Sequence, residues 1–210
     1  CSTYLFASQS WRLRARRLEQ LGPMETTKGT RMNRSPIPID NLLVKPMYLW
    51  DTQHLVLTSG DFAQDSYNAM TVGWGSLGVM WGRPFVQVVV RPVRYTYEFM
   101  ERYDTFTVCA FPARRAKALN LLGSKSGREG DKIAEAGLHL VASLKVAAPS
   151  YVEAELALEC RKIYWDDMER GRFLDAGIEA KYPRKDYHRI YYGEIVAAFG
   201  VARYKAKAVS

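Results

Sequence analysis

Between Asn68 and Thr96 the chain reads NAMTVGWGSLGVMWGRPFVQVVVRPVRYT, and this run restricts the fold more than any other stretch. It parses as strand, loop, strand, turn. Asn68 to Ser76 mixes Thr, Val and Trp with Gly73 and Gly75, while Phe85 to Arg91 is apolar and β-branched enough for a core strand. Glycine inside a strand pattern marks a bulge or a place where another group approaches the backbone closely. The run ends in Arg91-Pro92-Val93-Arg94-Tyr95-Thr96, at a strand-to-helix turn. Two guanidiniums and a hydroxyl there suit a phosphate: Arg presents a planar fork of donors, and a helix N-terminus leaves N–H groups free. Plainer readings fit the same residues, namely surface charges at a strand end and a glycine-bearing barrel corner. A glycine-lined strand beside a phosphate-type turn suggests a nucleotide-like ligand with a flat head.

The chain has 210 residues, enough for one domain with a sizeable core plus an extension. Its net charge of +8 makes nucleic acid the first partner to weigh. Much of that excess lies early, where Arg12, Arg14, Arg16, Arg17, Lys28, Arg31 and Arg34 face only Glu19 and Glu25. The rest is mildly basic, which suits small anions and is weak support for a nucleic-acid face. A basic nucleic-acid-binding barrel also needs aromatics interleaved with Lys and Arg, whereas Trp74, Trp81 and Phe85 sit among glycines and valines. Cys1, Cys109 and Cys160 are few and widely spaced, without a CxxC. That argues against a disulfide framework or a metal cluster, and favours a reducing cytoplasm. No apolar run approaches the roughly 20 residues that span a bilayer. No G-x-S-x-G elbow is present, and the G-x-G-x-x-G spacing of Gly73, Gly75 and Gly78 leads into a loop and a further strand instead of opening a helix, so hydrolase and dedicated dinucleotide-domain readings lack a motif in its proper context.

In chain order, residues 1–35 read as an Arg-rich leader, non-native or disordered, with Met24 or Met32 as a natural start. Residues 36–208 form the domain. Tyr48 to Trp50 and His54 to Ser59 read as strands, and Gly60-Asp61 opens a hairpin into Asn68. Tyr95 to Tyr103 is a short helix with Phe99 and Met100 inward. Thr105 to Phe111 is a strand, and Ala113 to Leu122 a helix capped by Gly123. A polar loop, Ser124 to Lys132, follows, with Lys132 expected in a structural ion pair at the start of a helix over 131–136. From Tyr151 to Trp165, Glu153, Glu155 and Glu159 alternate with apolar residues, the pattern of a half-buried strand. Residues 166–183 are an irregular polar excursion, and Asp186 to Val196 begins the last strand.

Taken in order, N-x-M-T-x-x-W-G-S from Asn68 to Ser76, then Trp81, Pro84, the core strand and R-P-x-R-Y-T resemble the flavin reductase-like family, in particular its flavoredoxin-type branch. The resemblance runs from about Pro46 to Ala202 and is densest between Asn68 and Pro112. It implies a mainly β protein with peripheral helices, a six-stranded antiparallel FMN-binding split barrel of Greek-key type. It also implies FMN as cofactor, with Arg91, Arg94, Tyr95 and Thr96 on the phosphate. The ring would lie along Met70, Thr71, Val72, Trp74, Gly75 and Ser76, with Asn68 a further cofactor-binding residue and Trp74 and Trp81 available to cover the dimethylbenzene edge. Lys125, Ser126 and Gly127, in the family's S-x-S-G…D-K loop, would meet the ring's polar edge, where a donor stabilises reduced flavin.

The D-x-H…G-E-I run at Asp186, His188, Gly193, Glu194 and Ile195 matches a further family signature. From the residues alone His188 is as much a plain histidine as a functional one; the resemblance makes it the catalytic candidate. It would position the nicotinamide or assist protonation, as a group whose charge changes near neutral pH. His54 and His139 flank apolar runs and read as structural. Two positions depart from the family: Trp74 stands where many relatives have a small residue, and Cys109 where many have Asn. The activity implied is NAD(P)H-dependent flavin reduction with NAD(P)H binding transiently. The alternatives are a flavoredoxin-like electron carrier with tightly held FMN and a redox-protein partner, and a non-enzymatic cofactor- or nucleic-acid-binding barrel. A homodimer with FMN near the subunit interface is the implied assembly. No metal, membrane or nucleic acid is expected.

Overall fold

The computed structural model describes residues 31–206 except His54, so most of the leader and His54 lie outside the described residues. In chain order the elements are β1 (Ser35–Pro36), α1 (Pro46–Asp51), β2 (Leu55–Asp61), β3 (Ser66–Val72), β4 (Gly75–Met80), β5 (Arg83–Val90), α2 (Tyr95–Arg102), β6 (Thr105–Ala110), α3 (Ala116–Ser124), α4 (Lys132–Glu135), β7 (Leu140–Val141), β8 (Ser150–Tyr151), β9 (Leu156–Asp167), α5 (Ala176–Glu179) and β10 (Arg189–Gly200). The strands of the main sheet run β3-β2-β6-β9-β10-β5-β4, with β1 added on β10, and every pairing is antiparallel.

The mainly β antiparallel architecture with peripheral helices is the one expected, with eight strands in the sheet where the sequence suggested six. One addition is β1, which pairs Ser35 with Gly200. Chain just before it also engages the barrel: Met32 N–H donates to Val152 O at 3.1 Å, and Arg34 to the Ser150 hydroxyl at 3.2 Å. Another is β4. Leu77 to Met80 read as loop, yet they pair with β5 from Met80↔Arg83 to Gly75↔Val88. The turn between them places Trp81 and Gly82 at positive φ, 54° and 68°. Such a hairpin turn matches the twist of the flanking strands.

The path begins and ends on consecutive strands. β3 and β4 are the two edges of the sheet, joined only by Gly73-Trp74. The barrel is therefore open along a seam that a two-residue link crosses. Gly75 sets the packing there, because a Cβ on it would lie 2.4 Å from Gln87 O and from the Trp50 ring. A side chain at residue 75 would push Trp50 and β5 away.

Alternation along the strands sorts side chains into two layers. Leu55 and Leu57 of β2 and Val86, Val88 and Val90 of β5 point into the barrel with Phe106, Leu156, Leu158 and Tyr191. Val56, Cys109, Phe111 and Ala157 point outward, under Leu119, Leu122 and Ile133. The outer face of β2, β6 and β9 is thus covered by α3, α4 and the segment after them. This explains why Glu153, Glu155 and Glu159 depart from the solvent-facing pattern: all three are buried. Each is matched, as a buried charge must be. Glu153 accepts from the His139 backbone N–H and bonds its Nδ1 at 2.6 Å; Glu159 accepts from the N–H groups of Leu144 and Lys145; Glu155 pairs with Arg203.

Two local expectations change. Tyr48 to Trp50 is helix, because Pro46 stands at its first positions, where a missing N–H costs nothing. Helix α3 continues past Leu122 to Ser124, so Gly123 is inside it and does not cap it. A Cβ on Gly123 would lie 2.2 Å from the Thr71 hydroxyl oxygen, so the glycine lets α3 press onto β3.

Gly193 sits where β10 shifts register against β9, and a Cβ there would lie 2.4 Å from Phe106 Cζ. Overpacking of that kind costs roughly 1–3 kcal/mol. Gly193→Ala is expected to lower the urea midpoint by that equivalent with an unchanged slope, measured by equilibrium unfolding.

Candidate functional site

A two-lobed cleft lies at the seam. Its larger lobe, about 550 Å³, is walled by Met70, Thr71 and Val72 of β3, the Gly73-Trp74 link, Val89 and Arg91 after β5, and Pro183, Arg184, Asp186 and His188. The smaller lobe, about 120 Å³, is walled by Asn68, Tyr95, Thr96 and the loop from Ser124 to Gly127, with Lys132 beneath. Met70, Val93 and Arg94 line both. Because β3 is an edge strand, the outer rim of its backbone is unpaired by the sheet, and a flat ligand in the larger lobe meets free N–H and C=O groups.

The smaller lobe is rich in cations and donors. Arg94 immediately precedes α2 and donates to Gly123 O at 3.0 Å, so one guanidinium ties the N-terminus of α2 to the end of α3. Asn68 donates to the Thr96 hydroxyl at 2.8 Å. The Ser124–Gly130 loop is moored from several sides. Lys125 pairs with Glu135 at 2.6 Å; Arg128 pairs with Glu98 and lies 4.6 Å over the Tyr95 ring. A Cβ on Gly127 would lie 2.2 Å from Asn68 Oδ1, so the loop closes directly onto β3. Lys132 makes no ion pair among the described residues, contrary to expectation. Its ammonium is buried and donates to Leu122 O and Lys125 O, both at 2.9 Å. Burial first, then Arg94, pushes its pKa down to about 8. It caps the carbonyls at the end of α3 and fixes the loop that follows.

The larger lobe carries Trp74 and His188 beside three arginines, Arg91, Arg94 and Arg184, and the chain between β9 and β10 forms one of its walls. Arg91 bonds Asp186 at 3.2 Å and Lys181 O at 2.8 Å, and lies 5.0 Å over the Tyr182 ring. Tyr182 OH lies 2.8 Å from His188 Nδ1, and the Trp74 ring is 5.2 Å from the His188 ring. His188 is 9% exposed. Burial, reinforced by Arg91, pushes its pKa down to about 4. It is therefore neutral at neutral pH and does not change charge there, which corrects the expectation drawn from the ordinary histidine value.

The structure brings most of the sequence-derived residues together, in a different grouping. Met70, Thr71, Val72, Trp74, Arg91 and His188 share the larger lobe; Asn68, Arg94, Tyr95, Thr96, Lys125, Ser126 and Gly127 share the smaller. Lys125 to Gly127, expected at a ring edge, thus stand with the phosphate-type turn. Arg91, expected on the phosphate, is set apart with Asp186. Gly75 and Ser76 line neither lobe: they belong to β4, where the Ser76 hydroxyl donates to Gln87 Oε1 at 2.8 Å. Trp81 is also elsewhere, at the β4–β5 turn, 5.9 Å from the Tyr164 ring and 6.4 Å from Tyr192. Sequence reasoning missed Tyr182, Pro183 and Arg184, which lie in an excursion without periodicity or motif. The D-x-H pair did flag Asp186.

An open antiparallel barrel with a two-lobed cleft at its seam defines the split-barrel class. More narrowly, the chain belongs to the flavin reductase like domain family, whose model matches residues 47–206. It is 27% identical over 136 residues to an uncharacterized protein of Pyrococcus abyssi, covering 63% of this chain and 66% of that protein. The chain thus spans just under two thirds of that relative, and 63% of an uncharacterized Archaeoglobus fulgidus protein. Among solved structures it is similar to an FMN-binding domain of flavin reductases-like enzyme from Shewanella baltica, with TM-score 0.58, 18% identity, and coverage of 82% of this chain and 79% of that one. A flavoredoxin of Desulfovibrio vulgaris gives TM-score 0.55 and 22% identity, covering 86% and 78%. At these identities the likeness shows the fold.

His188 gives a pH expectation. Its folded pKa, about 4, lies below the ordinary 6.5, so the unfolded chain binds more protons between those values. Its contribution to stability is complete above pH 6.5 and is lost as pH falls toward 4. Melting temperature should drop across that window, and His188→Gln should flatten that part of the drop in a pH series of thermal melts.

Proposed function

We propose that this protein is an FMN-binding oxidoreductase that takes hydride from NAD(P)H, with the flavin held in the seam cleft. The observation carrying the reading is the shape of that cleft, a small lobe at the helix-start turn around Arg94 that joins a larger one beside Trp74 and the β3 edge, which suits a phosphate and a flat tricyclic ring. FMN, when bound, supplies the ring that accepts and passes on electrons.

The residues present fit such a ligand. Arg94, the N–H groups at the start of α2, Ser126 and the backbone of Gly127 share the smaller lobe and would hold a phosphate there. Met70 to Gly73 offer an unpaired strand edge to the polar rim of a ring, and Trp74 covers an apolar edge. Arg91 lines the larger lobe, held in place by Asp186 and Lys181 O. A guanidinium N–H turned to the ring there would stabilise electron density arriving on it. Pro183, Arg184, Asp186 and His188 wall one side of the lobe, which would fix the orientation of a ring bound there for hydride transfer.

Trp74 favours a second reading. Half exposed on the link between the sheet edges, its indole takes up room in the larger lobe that a nicotinamide stacked on the flavin would need. A carrier reduced by a protein partner, as in the flavoredoxin reading, needs no such space. A homodimer is part of the same proposal. It is supported by the exposed Met47 and Tyr48 of α1, which packs against β4, together with Val79, Met80 and Trp81 at the β4–β5 turn.

The test is the visible spectrum of the purified protein, followed anaerobically on adding NADH and then NADPH. Flavin bands that bleach with a nicotinamide support the reductase; flavin bands that neither donor bleaches favour the carrier; failure to take up added FMN overturns both. Arg94→Gln, which keeps a donor for Gly123 O but removes the charge, is expected to weaken FMN binding roughly tenfold or more in a fluorescence titration. Unchanged affinity would remove Arg94 from the phosphate.

A further inference from the structure

The second ring nitrogen of His188 has a defined job only if the first is accounted for. Nδ1 lies 2.8 Å from the Tyr182 hydroxyl. Tyr182 is 3% exposed and tightly held: its ring stacks on Phe173 at 5.8 Å and 13°, and Arg91 covers it. The hydroxyl has one other neighbour among the described residues, Met168 Sδ at 3.4 Å, and a thioether is a weak acceptor beside an imidazole nitrogen. A phenol is also the better donor of the pair. The proton therefore lies on Tyr182 and points to Nδ1. Burial raises the Tyr182 pKa and lowers that of His188, so neither partner titrates near neutrality. The charged groups around the pair are Arg91, Arg94 and Asp186, and Asp186 is already bound by Arg91.

A neutral imidazole whose Nδ1 accepts must carry its proton on Nε2. Nε2 has no hydrogen-bond partner among the described residues, yet it is not sealed: the buried side-chain nitrogen or oxygen left without a partner among those residues is Trp50 Nε1. His188 lines the larger lobe, and Nε2 is the ring nitrogen it has left to offer a ligand there.

We propose that Tyr182 is a positioning residue that locks His188 in its Nε2–H tautomer, giving the larger lobe a permanent neutral N–H donor for a carbonyl oxygen of the bound ring. This rests on the FMN reading for the identity of the acceptor, not for the tautomer. A fixed donor differs in kind from a titrating acid. It recognises an oxygen without delivering a proton, and it does so equally at pH 6 and pH 9. The irregular excursion thereby gains a role at the site, since Tyr182 reaches the ligand only through His188.

The test is nitrogen-15 NMR of the ligand-free protein with labelled histidine, at pH 7. A pyridine-type Nδ1 and a pyrrole-type Nε2 on His188, with a Tyr182 hydroxyl proton coupled to Nδ1 across the hydrogen bond, are expected. A protonated Nδ1, or no such hydroxyl coupling, overturns the proposal from the wild type alone. Tyr182→Phe keeps the ring and removes the donor. It should shift His188 toward the other tautomer and weaken FMN roughly two- to tenfold, the range for one neutral hydrogen bond. An unchanged tautomer in that variant overturns the lock. If wild-type protein shows the Nε2–H tautomer but binds no FMN, the functional reading fails and the lock stands.

Discussion

Everything at the site depends on a sheet that does not close. A strand edge carries unmet hydrogen-bonding groups, and natural sheets hide or pair them. Here β3 and β4 are both edges, yet they are successive strands joined by two residues. The chain can leave one edge and arrive at the other only by crossing the opening. Backbone polarity is thereby concentrated beside a cleft that the neighbouring loops finish. The glycines around it serve this geometry: Gly75 lets β4 settle on Trp50, and Gly123 and Gly127 let the helix and loop on the opposite side come down onto Thr71 and Asn68.

Charge is divided in a comparable way. Arg91 and Arg94 are three residues apart and look equivalent in sequence, but their neighbours separate their roles. Arg91 is engaged by Asp186 and a carbonyl at the wall of the larger lobe; Arg94 lines both lobes and, among the described residues, hydrogen-bonds a helix-end carbonyl alone. Lys132 shows the same logic in a buried setting, where an ammonium that meets two carbonyls organises a loop at the cost of desolvation.

Much of this was legible beforehand because it rests on local pattern. The core strand from Phe85, the α2 helix with Phe99 and Met100 inward, and the turn at Arg91 to Thr96 follow from period and punctuation. What escaped depends on contacts distant in sequence. β4 looked like a loop because its residues from Leu77 to Met80 are exposed or half-buried at an edge and lack alternation. The three glutamates looked solvated because nothing local says that residues 138–151 return to cover them. Tyr182 carries no signal at all: its meaning comes from the hydrogen bond to His188 and from the arginine above it.

The two loops that complete the cleft are moored independently. The Ser124–Gly130 loop is held by Glu98, Glu135 and Lys132, and the Lys181–Asp186 stretch by Arg91 and the stack of Phe173 on Tyr182. Neither mooring uses a residue of the barrel interior. Selection can therefore rewrite one loop, and with it one lobe of the cleft, while the other loop and the hydrophobic interior stay as they are. In such a protein ligand preference is expected to drift faster than the fold, loop by loop.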